Sequence, residues 1–353
     1  MRRAVPLALV LLMLSGCSTQ AFWVQTMTSV IPSSSGTPNS VVSLGNYEFV
    51  SVQGTSQIFT FNISSGSQVL AAPAYATPCK DPSGMVVATI AGNNVMAVVC
   101  YNTASLLTLA VNADGSLSAL GSVGGLPMPY PGSALDGTNV LIPLFGQNLR
   151  TNGAVARVSI ASPANPVITG IATLASPKSG GFVNPGYLTV AGGMIFVAGG
   201  SEDSPMDTSS SIQVVNESTM ALVGTPLVVE HSPQQIAVQG NVAYVTIFDE
   251  LQLESIDITD PAHLHPLQVA SLASSSANCH ALPIVVRDNI AYVGCYLEGV
   301  IDQFDIRNPS NMRVVNSVAG ISYPQRLVFA GNILLVPDSE FGGHIYQIDM
   351  FAP

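Results

Sequence analysis

Gly240-Asn241-Val242-Ala243-Tyr244-Val245-Thr246-Ile247-Phe248, with Leu253-Glu254-Ser255-Ile256-Asp257-Ile258-Thr259-Asp260-Pro261 a few residues on, is the clearest passage in the chain. Gly-Asn ahead of a β-branched and aromatic run is a hairpin signal, because the turn needs positive φ and these two residue types tolerate it. The run that follows is short and rich in Val, Ile, Tyr and Thr, which suit a pleated surface better than a helix. The second run ends on Asp257 and passes into an Asp-Pro turn, while Pro233-Gln234 opens a further short run upstream. The passage predicts a four-stranded unit: a strand A opened by proline, a tight turn, strand B, a loop, strand C, a polar turn and strand D.

The same unit recurs in both directions. The hairpin turn returns as Gly45-Asn46, Gly92-Asn93, Asp136-Gly137, Gly192-Gly193, Asp288-Asn289 and Gly331-Asn332, at intervals of roughly 45 residues. A proline landmark stands upstream as Pro38-Asn39, Pro82-Ser83, Pro131-Gly132, Pro185-Gly186 and Pro324-Gln325, with Pro283 as a shifted version. Strand-like runs after the hairpin end on Asn62, Asn112, Ser159, Asn216, Asp305 and Asp349. Four strands at this period are the signature of propeller blades, whose faces are covered only when neighbours stack and the ring closes. The expectation is an all-β fold: a single seven-bladed β-propeller. The last unit stops at Pro353 without its strand D, whereas Phe22 to Val30 is a strand without a blade. Residues 22–31 are therefore expected to complete the last blade and close the ring, leaving no open edge there.

Units five and six carry a resemblance. Ala243-Tyr244-Val245, Leu253 to Pro261, Ala291-Tyr292-Val293 and Phe304-Asp305-Ile306 resemble the LVIVD and YVTN families of bacterial surface propeller repeats. That resemblance implies an extracytoplasmic binding or scaffold role and specifies fold far better than function.

The N-terminus agrees on location. Arg2 and Arg3 precede a short apolar run, Ala4 to Met13, too short to span a bilayer, and then Leu14-Ser15-Gly16-Cys17. This resembles the bacterial lipobox. It implies that residues 1–16 are a lipoprotein signal peptide, that residues 17–353 are the mature propeller, and that Cys17 is the lipid attachment site. Two or more acyl chains hold stably to a membrane. Ser18, rather than Asp, after the cysteine implies sorting to the outer membrane, facing either the periplasm or the surface.

Composition narrows the partners. Only 9% of residues are charged, and 48% are apolar, so the chain can fill a large core and lacks the high charge that disorder requires. The formal charge of −11 becomes about −13 once Arg2 and Arg3 leave, and the eight remaining basic residues are scattered. No basic stripe exists to neutralise phosphates, which argues against nucleic acid.

Four cysteines follow Cys17. Cys79 and Cys279 both lie just before a strand A, and Cys100 and Cys295 both end a strand B. The two pairs occupy equivalent places in units two and six, which are not neighbours in the ring, so bonds Cys79–Cys100 and Cys279–Cys295 are expected. Each closes a short loop, contributing about 3 kcal/mol in the chain-entropy model, and an exported compartment permits both.

In a propeller the loop before strand A and the loop after strand B open on one face. These loops hold Asp81, His231, Asp249, Glu250, His280, Glu298, Asp338 and His344, together with Glu202, Asp203, Asp207 and Glu340. This acidic rim is the candidate ligand face: either a site for a cation, a metal or a basic peptide, or simply solvated loops. Metal-motif spacing is absent, so no cofactor is predicted and a divalent cation is the one the rim could take. No Gly-x-Ser-x-Gly, Walker or dinucleotide fingerprint occurs, and Gly124-Gly125 and Gly199-Gly200 read as blade turns. The leading expectation is a lipid-anchored binding or scaffold protein of the cell envelope with a protein partner. The alternative is a propeller hydrolase of lactonase or metal-dependent type acting on the loop-rich face.

Overall fold

The computed structural model describes residues 23–25, 31, 36–64, 69–146, 151–179, 181–200, 210–248, 250–273, 279–338 and 343–349. The signal peptide, Cys17, Asp249, Glu202, Asp203, Asp207 and Glu340 lie outside the described residues.

The described residues form seven four-stranded antiparallel sheets. The first strand in the chain, β1 (Trp23–Gln25), belongs to the last blade. Blade one is β2 to β5 (Thr37–Leu44, Tyr47–Gln53, Gln57–Asn62, Val69–Ala76), and blade two is β6 to β9 (Pro82–Ile90, Asn93–Cys100, Ser105–Val111, Leu117–Gly124). Blade three is β10 to β13 (Ala134–Asp136, Asn139–Leu144, Ala154–Ser159, Val167–Thr173), and blade four is β14 to β17 (Asn184–Ala191, Met194–Gly200, Ser211–Asn216, Ala221–Val228). Blade five is β18 to β21 (Pro233–Gln239, Val242–Ile247, Gln252–Asp257, His265–Ser271), and blade six is β22 to β25 (Ala281–Arg287, Ile290–Cys295, Val300–Asp305, Arg313–Ala319). Blade seven is β26 to β28 (Val328–Ala330, Ile333–Pro337, Ile345–Asp349), with β1 as its outer strand. The ring thus closes as the sequence predicts: Trp23 pairs with Asp349, Val24 with Ile348 and Gln25 with Gln347.

The hairpin turns have the backbone their residues allow. In blade six Asp288 (φ 52°) and Asn289 (φ 63°) are both left-handed, which is the requirement of a two-residue turn that follows the twist of its strands.

The core lies between blades rather than within them. Leu106 of blade two shares one cluster with Val140 and Ile142 of blade three, and Phe196 of blade four shares another with Val245 of blade five. Strands B and C are therefore buried along most of their length, while outer strand D leaves Val69, Val167, Val269 and Val315 about half exposed. Polar ties repeat between neighbours: Thr108 Oγ1 donates to Pro163 O of the next blade at 2.5 Å, and Ser255 Oγ to Pro309 O at 2.7 Å.

Both disulfides form within their blades, Cys79–Cys100 with Cα atoms 5.2 Å apart and Cys279–Cys295 with Cα atoms 5.0 Å apart. The two glycine pairs differ from the blade turns expected of them. Gly124 ends β9, with only Gly125 (φ 86°) beyond it, and Gly199 and Gly200 are not a turn but the end of β15. A Cβ at Gly199 would lie 2.6 Å from Val183 Cγ1 and one at Gly200 3.0 Å from Ser232 Oγ, so packing around the strand end accounts for the pair.

Candidate functional site

The proline landmarks converge at one mouth of the central channel. Strand A is the innermost strand of each blade, so one of its edges has no ladder partner and tolerates proline at its start. The small residue beside the proline answers a steric demand: a Cβ on Gly132 would lie 2.2 Å from Gly186 O of the next blade. Around this mouth lies a cavity of about 500 Å³.

Its wall is aromatic and amide rather than acidic. Tyr101, Tyr130, Tyr187, Phe248 and Tyr296 supply rings, and Asn39, Gln53, Gln234 and Gln325 supply neutral donors and acceptors. Several of these rings are held from behind. Tyr130 stacks on Phe145 at 4.2 Å and meets the edge of Tyr187 at 6.1 Å. Phe248 stacks on His280 at 4.4 Å, and Tyr296 packs edge-on against Tyr323 at 5.4 Å. Arg326, from blade seven, crosses the channel: its guanidinium lies 4.7 Å above the Tyr187 ring of blade four and donates to Pro131 O at blade three. Gln235 of blade five also reaches across, donating to Gln325 O at 3.1 Å.

Four non-glycine residues with left-handed backbone stand in the loops before the inner strands: Asp81 (φ 61°), Met128 (φ 45°), His231 (φ 66°) and Tyr323 (φ 39°). Such conformations are costly for ordinary residues and cluster at ligand clamps and other functional sites. Asp81 lines the cavity, and Tyr323 backs the Tyr296 ring.

The acids and histidines expected on this face are spread around the ring. Asp81 is at the wall, but its carboxylate already accepts from Gly54 N at 3.1 Å and Asn102 Nδ2 at 3.0 Å, tying blade one to blade two. His231 pairs with Glu250 at 3.3 Å in blade five. His280 Nδ1 lies 3.2 Å from Phe248 O. In blade six Glu298 Oε2 is 3.8 Å from the Cys295 sulfur. Asp338 is buried and its N–H donates to His344 O at 2.8 Å across their own loop. Among the described residues no three His, Cys, Asp or Glu side chains gather as a metal site would need.

The carboxyls whose protonation the fold shifts upward lie deeper. Burial pushes Glu254 of strand β20 and Asp302 of strand β24 above the ordinary carboxylate range. Asp302 accepts from Ala273 N at 2.7 Å and Ser317 Oγ at 2.5 Å, so it pins one blade to the connection leaving the previous one. Gln213 does the same in blade four, where it bonds both N and O of Ala175.

The rings had a signal in the sequence. Tyr101, Phe145, Phe248 and Tyr296 each stand one residue after the end of a strand B. That is a repeating aromatic position, masked by the repeat-to-repeat exchange of Tyr and Phe. Arg326 had none, because its partner is 195 residues away.

The LVIVD repeat model matches residues 232–266, the blade-five passage. A search of the curated proteins found no match. Among solved structures, the periplasmic gluconolactonase of Pseudomonas aeruginosa superposes with a TM-score of 0.62 at 15% identity, covering 82% of this chain and 91% of that one. Virginiamycin B lyase from Staphylococcus aureus gives 0.66 at 12% identity over 93% and 99% of the two chains. BamB from Moraxella catarrhalis gives 0.52 at 12% identity over 89% and 85%. At these identities the likeness is one of fold.

Proposed function

We propose that the protein is an exported, lipid-anchored propeller of the outer membrane that binds an envelope protein through the aromatic mouth of its channel. The observation that carries this reading is the wall itself: rings locked from behind and interleaved with neutral amides. Rigid tyrosines dominate binding energy at protein interfaces because they supply contact area at low entropic cost. A wall of neutral amides suits an uncharged polar segment inserted into the cavity, with the acidic loops around it favouring basic flanks on that partner. The two disulfides support export.

The test is affinity capture from detergent-solubilised envelope with the wild type and a Tyr101→Ala, Tyr296→Ala variant of unchanged melting temperature. A protein retained by the wild type and released by the variant is expected. Identical capture by both, or none by either, counts against the reading. The hydrolase alternative uses the same cavity, on whose wall Asp81 supplies the carboxylate. It requires δ-gluconolactone turnover, with or without divalent cations, that Asp81→Asn abolishes without lowering the melting temperature.

A further inference from the structure

We infer that the lipid anchor holds the propeller with its cavity mouth turned away from the membrane, so that whatever occupies the cavity arrives from the aqueous compartment. This rests on lipid attachment at Cys17, and it follows from the register of one short strand. In blade seven, Trp23 stands level with Asp349, and Asp349 with Ile333, the residue just after the Gly331-Asn332 turn. The chain therefore comes into the fold on the face that carries the hairpin turns. The cavity is at the other end of the same sheet, where Pro337 pairs with Ile345, Asp338 bridges to Pro324, and Gln325 joins the wall.

The distances disfavour the opposite orientation. Cys17 is six residue steps before Trp23, a reach of at most about 20 Å when fully extended. From the level of Trp23 to that of Pro337 the sheet rises four residue steps, about 13 Å, before the loops around the mouth are added. Turning the mouth toward the bilayer would consume the tether on the flank of blade seven and leave the loops pressed into the headgroups. β1 is also the outermost strand of its sheet, so Trp23 stands at the circumference, clear of both ends of the channel. Among the described residues of the turn face, Arg287 sits beside Asp288, and Arg307 and Arg313 beside Asp305. The tether, not a basic patch, sets the orientation.

The experiment places an environment-sensitive fluorophore on the full-length lipidated protein, through Asn332→Cys on the turn face or Lys80→Cys on the loop face. Each labelled protein is reconstituted into phosphatidylethanolamine–phosphatidylglycerol vesicles whose headgroups carry a quencher. Quenching several-fold stronger at position 332 than at position 80 is expected, and Cys17→Ala should abolish it at both. Equal quenching, or stronger quenching at position 80, on protein whose intact mass carries the acyl chains overturns the orientation alone. Protein whose mass shows an unmodified Cys17 overturns the anchor and the orientation with it.

Discussion

Blades six and seven are neighbours built to different standards. Blade six has strands of seven, six, six and seven residues from one continuous stretch of chain, with a disulfide across its first hairpin. Blade seven has strands of three, five and five residues from one end of the chain and three residues from the other. A continuous blade is held by local hairpins that form cheaply, whereas the closing blade depends on joining segments more than three hundred residues apart. Its neighbours compensate. Arg287 of blade six lies 4.8 Å over the Phe329 ring and donates to Gly331 O. Ser43 of blade one donates to Phe329 O at 3.3 Å, and Arg326 ties blade seven to the far side of the channel. The seam thus has the shorter ladders and is backed by side-chain ties from both neighbours and from across the channel.

The hardest blow to that contrast is Val24→Pro. Proline cannot donate to the ladder and its ring disturbs the pairing, so β1 should detach and expose the edge of β28. A loss of up to about 3 kcal/mol is expected, the upper end of what an unmade backbone hydrogen bond costs, seen as a large fall in melting temperature and as concentration-dependent association through the bare edge. The corresponding outer strand of blade six should behave differently: Val314→Pro in β25, opposite Phe304, should cost less, because its blade keeps three full strands and a disulfide. Similar losses at both sites would mean that the seam is not the weak point.

Arg326→Ala tests the strap. A hydrogen bond from a charged donor together with a guanidinium over a ring is worth about 2 kcal/mol. The expected result is a melting temperature lowered by several degrees, with amide exchange accelerating first in β26 to β28 and in the Pro131 loop. Uniform acceleration around the ring would show that the seam and the strap are not coupled.

The contrast also explains which features the sequence carries by itself. Blades five and six announced themselves because turn, strand and polar stop are all local signals, and Gly240-Asn241 and Asp288-Asn289 carry their turn chemistry in two residues each. The disulfide pairing was legible for a similar reason: Cys79 and Cys279 hold one place in the repeat, Cys100 and Cys295 another. The seam was visible as a surplus strand at one end and a missing strand at the other. The cavity was legible only as a face. Acids and histidines are the usual residues of chemistry, but Asp81 is occupied in joining two blades and His231 in meeting Glu250. What lines the mouth is set by where strands end, and a ring wall assembled from separate blades has no contiguous motif.

The smallest effect sharpens the comparison at one equivalent position. The third residue of strand C is Gln213 in blade four, Glu254 in blade five, Asp302 in blade six and Gln347 in blade seven. The amide of blade four is bonded at both ends, and Asp302 has two donors. Glu254 is 8% exposed, and no hydrogen bond to its carboxyl is seen among the described residues. Burial raises its pKa above the ordinary value of 4.5, so the folded state holds the proton more tightly than the unfolded chain. Its contribution to stability is therefore full below about pH 4.5 and is lost as pH rises through the higher folded value. Glu254→Gln gives blade five the residue that blade seven already has. It should leave the melting temperature unchanged at pH 4 and raise it at pH 7.5, by the equivalent of about 1 kcal/mol, the low end of what an unpaired buried carboxyl costs. A gain of equal size at both pH values would assign the effect to packing or to amide hydrogen bonds instead of to charge. No gain at pH 7.5 would mean that water reaches the carboxylate, and that the inter-blade layer of blade five is less closed than that of blade six.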